Sequence, residues 1–140
     1  MQIGDYNFPD ELYYDREHNW ARFEGDIVTQ GISDFGQDLA GEIVYAESPR
    51  VGRDVEQGKP FMSMESGKWV GRVKAMVSGK IAEANEEIEW ESTIINQDPY
   101  GEGWLAKIAV AGSSALDGLL RPSDPAFAEF IAAEREKYDK

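Results

Sequence analysis

Turn-forming residues return about every ten positions through the middle of the chain, and the apolar runs between them are roughly four to eight residues long, too short for ordinary helices. That spacing constrains the fold more than any other feature. Glu24-Gly25-Asp26 divides two aromatic and aliphatic runs as a hairpin turn does, and Val51-Gly52-Arg53-Asp54, Glu56-Gln57-Gly58, Gly67-Lys68 and Gly79 mark further reversals. Lys80-Ile81-Ala82-Glu83-Ala84 alternates polar with apolar residues, the period of a half-buried strand. Strands are also expected from Glu42 to Ala46, from Pro60 to Met64, from Trp69 to Val77 and from Trp104 to Val110. The reading is mainly β, a small sandwich or flattened barrel.

Helices enter at two places. Ser33 can cap a short helix over Phe35 to Leu39, with Gly41 ending it. Ser123-Asp124-Pro125 supplies a cap with proline in the first turn, and Phe127, Phe130 and Ile131 follow at helical spacing, so the chain is expected to end in an amphipathic helix. Residues 1–12 have no clear period and read as an N-terminal extension, loosely packed or covering an edge. Residues 13–111 form the domain, and 112–140 a linker with a C-terminal helix packed on it.

Composition narrows the chemistry. The absence of Cys excludes disulfides, thiolate metal ligands and a cysteine nucleophile, so any redox chemistry must be borrowed from a cofactor. His18 is the sole histidine, which leaves zinc sites and His-led triads almost no residues to use. A net charge of -13 repels nucleic acid and anionic membranes, and no apolar run can span a bilayer, so a cytoplasmic location is expected; a monomer is expected on the separate ground that it can meet several partners. The acidity is uneven: seven acids and no base lie from Ala82 to Glu102. Between Glu65 and Glu83, Lys68, Arg72, Lys74 and Lys80 make a small basic island.

Lys68 stands where one hairpin reverses, at a rigidly based and exposed tip. On composition alone such a lysine is a solvated charge. Ordered motifs change that reading: Arg16-Glu17-His18-Asn19-Trp20-Ala21-Arg22, Gly31-Ile32-Ser33-Asp34-Phe35, Gly41-Glu42-Ile43-Val44-Tyr45, Glu65-Ser66-Gly67-Lys68, Val77-Ser78-Gly79, and Asn96 through Trp104. With these the chain resembles the H protein of the glycine cleavage system over roughly residues 13 to 110. The resemblance implies a lipoyl-domain-type flattened β-barrel or sandwich (the hybrid motif) with short helices. It also implies lipoate amide-linked to Lys68, a carrier role in place of catalysis, and lipoate ligase and dihydrolipoamide dehydrogenase as partners.

The residues after Lys68 depart from the family. H proteins usually continue with small residues and a Ser-Asp pair, whereas this chain has Trp69-Val70-Gly71-Arg72. A cation replaces a carboxylate, which disfavours a protonated aminomethyl group and favours an anionic sulfur adduct. The run from Gly67 to Arg72 is similar to lipoate-binding proteins that serve the heterodisulfide-reductase-like complex of sulfur oxidation. The leading expectation is therefore a carrier of sulfur intermediates, with glycine cleavage as the alternative. Glu65, Ser66, Gly67, Trp69, Gly71 and Arg72 join Lys68 as expected cofactor-binding residues.

The remaining charged residues take plainer readings. Glu65 serves ligase recognition or solvates a strand end, and Arg72 binds cargo or pairs with the acids after Ala82. Lys59, Lys74 and Lys80 read as surface charges, and His18 as a structural hydrogen-bonding residue. A carboxylate-based hydrolase drawn from Glu83 to Glu91 would need two acids across a cleft, which that loop-like run does not suggest.

Overall fold

Closely spaced reversals cut the chain into eleven short strands, and the computed structural model describes these with the rest of residues 1–140. In chain order they are β1 (Gln2–Ile3), β2 (Tyr6–Asn7), β3 (Tyr13–Tyr14), β4 (Asn19–Glu24), β5 (Ile27–Ile32), helix α1 (Asp34–Ala40), β6 (Ile43–Ala46), β7 (Asp54–Val55), β8 (Pro60–Ser66), β9 (Val70–Lys74), β10 (Gly79–Ala84), the single turns α2 (Glu87–Trp90) and α3 (Ile94–Gln97), β11 (Ala106–Ala109) and helix α4 (Pro125–Lys137). Six strands pair in the order β3-β4-β5-β11-β10-β7, and three in the order β6-β8-β9. Val28, Ile81 and Ile108 from the larger sheet meet Ile43, Met64 and Val73 from the smaller in one core. This is the flattened β-sandwich with short helices that the sequence implied.

The sheets are also joined by one side chain. Beyond β9 the backbone leaves the small sheet, and its polar groups there need partners. Gln30, fully buried on β5, donates from Nε2 to the Lys74 carbonyl at 2.9 Å and accepts the Met76 N–H at Oε1 at 2.9 Å. One amide thereby satisfies both orphaned groups at the crossing.

The expected short helix forms as its caps require: Ser33 Oγ accepts the Gly36 N–H at 3.1 Å, and Gly41, at φ 83°, closes it by donating to Gln37. The loop-like run after Ala82 differs from expectation, since Ile88 and Ile95 pull it into α2 and α3 by burying fully. At the C-terminal helix Pro125 takes the first turn, but Asp124 accepts the Arg121 N–H at 2.9 Å in place of capping the helix with its side chain.

The residues before Tyr13 are not loosely held. Phe8 and Leu12 are fully buried in a second core with Tyr14, Trp20, Phe35, Phe127 and Ile131. Phe8 meets Phe127 edge to face at 5.1 Å and Tyr14 at 5.7 Å. The N-terminal hairpin and helix α4 are thus packed together by aromatic rings. Phe8→Ala should cost about 3–5 kcal/mol in chemical denaturation, as a truncated core aromatic does. A loss under about 0.5 kcal/mol, typical of surface substitutions, would mean that the segment is peripheral.

Candidate functional site

The β8–β9 hairpin carries the lysine singled out by the sequence. Glu65 pairs with Val70 and Met64 with Gly71, leaving Gly67, Lys68 and Trp69 at the tip. Ser66 organises that tip from a buried position: its hydroxyl donates to the Ala40 carbonyl at 2.6 Å and accepts the Lys68 N–H at 3.3 Å. The Ser66 N–H donates to the Trp69 carbonyl at 2.7 Å. The hairpin is therefore clamped to the C-terminal end of α1.

Two glycines seat the neighbouring side chains. A Cβ on Gly41 would stand 2.7 Å from Lys68 Cε, so the lysine stem lies over Gly41. A Cβ on Gly71 would stand 2.4 Å from the Trp69 indole, which therefore lies across that strand residue. Gly67 differs: it faces open space and has no left-handed backbone, so its hydrogen side chain is not demanded by the fold. The Gly41 loop is in turn held by Asn96, which donates to the Gly41 carbonyl at 2.8 Å and accepts the Ile43 N–H at 2.8 Å.

Beside the tip opens a cleft of about 310 Å³. Ile32, Leu39, Ala40 and Met64 make its apolar wall, Trp69 and Arg72 come from the hairpin, and Tyr138 closes it from the C-terminus. His18 also lines it. This residue has a left-handed backbone, φ 68°, and its Nε2 bonds Glu134 Oε1 on α4 at 2.7 Å, the structural role expected of it. Near the lysine stem, the Tyr6 hydroxyl donating to Asp38 holds that carboxyl below the ordinary value; partial burial opposes this, and the ammonium groups of Lys140 and Lys68 add to it.

Of the expected site residues, Ser66, Lys68, Trp69, Gly71 and Arg72 come together around the tip and cleft. Glu65 points to the opposite, outer face and is exposed. Arg72 pairs with none of the acids after Ala82, and Glu89 from that run accepts the Ser48 N–H at 3.1 Å. Lys59, Lys74 and Lys80 form surface ion pairs with Glu56, Glu17 and Asp54 at 2.8, 3.4 and 3.9 Å. Sequence reasoning missed Asp38, Asn96 and Tyr138. Asn96 had a signal in the Asn-Gln-Asp-Pro motif, whereas Tyr138 had none.

Two outcomes follow for the tip. Ser66→Ala should lower stability by about 1–3 kcal/mol, by leaving the Ala40 carbonyl without this donor. It should also speed hydrogen exchange at the Lys68 amide, and an unchanged exchange rate would sink the clamp. Burial and the Asp38 carboxylate push the Tyr6 phenol up to about 12. A raised phenol stabilises the fold below its ordinary value near 10, and that contribution is lost as pH rises through about 12. In an absorbance titration Tyr6→Phe should remove a tyrosinate step near pH 12.

The family model described as Glycine cleavage H-protein matches residues 12–130. The chain is 44% identical over 114 residues to the glycine cleavage system H protein of Symbiobacterium thermophilum, covering 81% of this chain and 89% of that one. It is 43% identical over 114 residues to the same-named protein of Bacteroides thetaiotaomicron, covering 81% and 90%. Among solved structures, a glycine cleavage system H protein from Mycobacterium marinum superposes with a TM-score of 0.78 at 28% identity, covering 91% of this chain and 98% of that chain. The chain belongs to the glycine cleavage H-protein family.

Proposed function

We propose that this protein is a lipoyl carrier that bears lipoate on Lys68 and serves glycine cleavage, shuttling an aminomethyl group. The observation that carries the reading is the clamped tip: Ser66 fixes the hairpin to α1, and Lys68 extends from it over Gly41. The neighbouring residues suit the group. Leu39, Ala40, Met64 and Trp69 offer an apolar wall to a hydrocarbon arm, and Gly41 leaves room for the stem. Bound lipoate would supply the dithiol that a chain without cysteine lacks. Lipoate ligase and dihydrolipoamide dehydrogenase are the partners this reading requires, and the chain itself acts as their substrate.

The names of the relatives favour glycine cleavage over the sulfur-oxidation reading that the lysine motif suggested, and no relative reported above is tied to a heterodisulfide-reductase-like complex. One observation keeps the sulfur reading as second. Arg72 lines the cleft beside Trp69 without a carboxylate partner, a setting that suits an anionic sulfur adduct better than a protonated amine.

Co-expression with lipoate ligase should raise the intact mass by one lipoyl amide, and Lys68→Arg should abolish the increase. If the wild-type chain stays unmodified, the carrier reading fails. With the lipoylated chain, glycine and glycine decarboxylase should yield an aminomethylated mass. An adduct formed only from sulfur donors would transfer the chain to the second reading.

A further inference from the structure

Two features of the small sheet lie outside the arm's cleft, with Arg72 alone shared between them and it. The first is apolar. Tyr45 pairs with Glu65 and Glu65 with Val70, so the three stand in one row across β6, β8 and β9 on the outer face. Val70 is 78% exposed and Tyr45 46%, while Val44, at the bulge of β6, is 59% exposed. These are among the few large apolar side chains the protein leaves in water, and they gather beside the hairpin tip.

The second feature is charge. Arg50, Arg53 and Arg72 line one open depression of about 880 Å³. Arg72 lies opposite Ser63, two residues from the Glu65–Val70 rung, so the depression continues the apolar row on the same sheet. In a chain of net charge -13, five lysines find carboxylates, yet the side chains of Arg50 and Arg72 have neither a carboxylate, a carbonyl nor an aromatic ring as partner. Arg53 donates to the Phe61 carbonyl at 3.2 Å, and its loop is tied to β10 by Gly52 N–H to Ile81 O at 2.8 Å and Ile81 N–H to Arg53 O at 2.9 Å. That guanidinium is thus held in position with donors to spare. Glu47, which also lines the depression, is turned to the Tyr45 hydroxyl at 3.4 Å.

We propose that this outer face is a docking surface for an acidic peptide segment of the enzyme that receives the arm. Its carboxylates meet Arg50, Arg53 and Arg72, and an apolar side chain beside them covers Tyr45 and Val70. The role of the partner rests on the reading of Lys68 as the carrier lysine; the capture of an acidic segment does not. Guanidinium groups bind carboxylates through paired N–H donors, and a partner repelled by the rest of an acidic surface is left one favourable approach. That approach brings it against the strands that end at Lys68.

The test uses the full chain, with and without lipoylation, and an N-acetylated, C-amidated hexaglutamate peptide as probe, with hexalysine as the comparison of opposite charge. In nuclear magnetic resonance titrations hexaglutamate should give saturable shifts confined to residues 44–53 and 63–72, including the arginine Nε–H signals. The double variant Arg50→Glu/Arg53→Gln should weaken binding at least tenfold while its melting temperature and lipoylation stay unchanged. No saturable shift, equal binding by the variant, or shifts mapping elsewhere overturns the proposal. Should the variant melt lower, Arg50→Glu alone, at a side chain with no partner, decides by the same criterion. Failure of Lys68 to accept lipoate removes the carrier reading and leaves the shift map to judge the surface.

Discussion

The two larger sheets of this protein depend on one buried amide. Where the chain passes from β9 toward β10 it leaves one ladder before entering the other, and a donor and an acceptor are stranded away from water. Gln30 reaches across from β5 and answers both. An apolar residue of similar volume would strand two polar groups at once, a larger penalty than the modest net gain of making either bond. The sandwich can therefore bring its small sheet, and the hairpin on it, to one fixed place against the larger sheet.

Everything at the hairpin tip is built on that placement. Ser66 meets Ala40 only because the small sheet lies against α1, and Gly41 lies under Lys68 only because Asn96 holds its loop from α3. Rigidity at the base and freedom beyond Lys68 Cε are the two properties a tethered group needs, since the tether sets the local concentration at a docked partner. The flanking cleft has an apolar wall from core residues and a closing residue, Tyr138, from the last turn of the chain.

Much of this was legible in the sequence because it is local. The Gly25 turn, the Ser33 cap and the Gly41 stop each depend on neighbours within a few residues, and the structure has them where the pattern implied, whereas the alternation expected from Lys80 to Ala84 is broken by a bulge between Ile81 and Glu83. Lys68 was legible through ordered motifs. Gln30 and Asp38 were not, because their partners lie dozens of positions away and an amide or carboxylate leaves no period to read. Phe8 and Leu12 were misjudged for a related reason: they lie between two-residue strands that are too short to show alternation. Trp69 and Gly71 were legible as residue types, but the indole lying over the glycine is a fact of packing.

Asp38 sits where the two ends of the chain meet: Tyr6 from the N-terminal hairpin donates to it, and Lys140 at the last position pairs with it at 3.2 Å. The Lys68 ammonium belongs to the same electrostatic group. Were an amide formed at Lys68, that cation would be lost, the chain would be one unit more negative, and Tyr6 and Lys140 alone would hold the Asp38 carboxyl below its ordinary value.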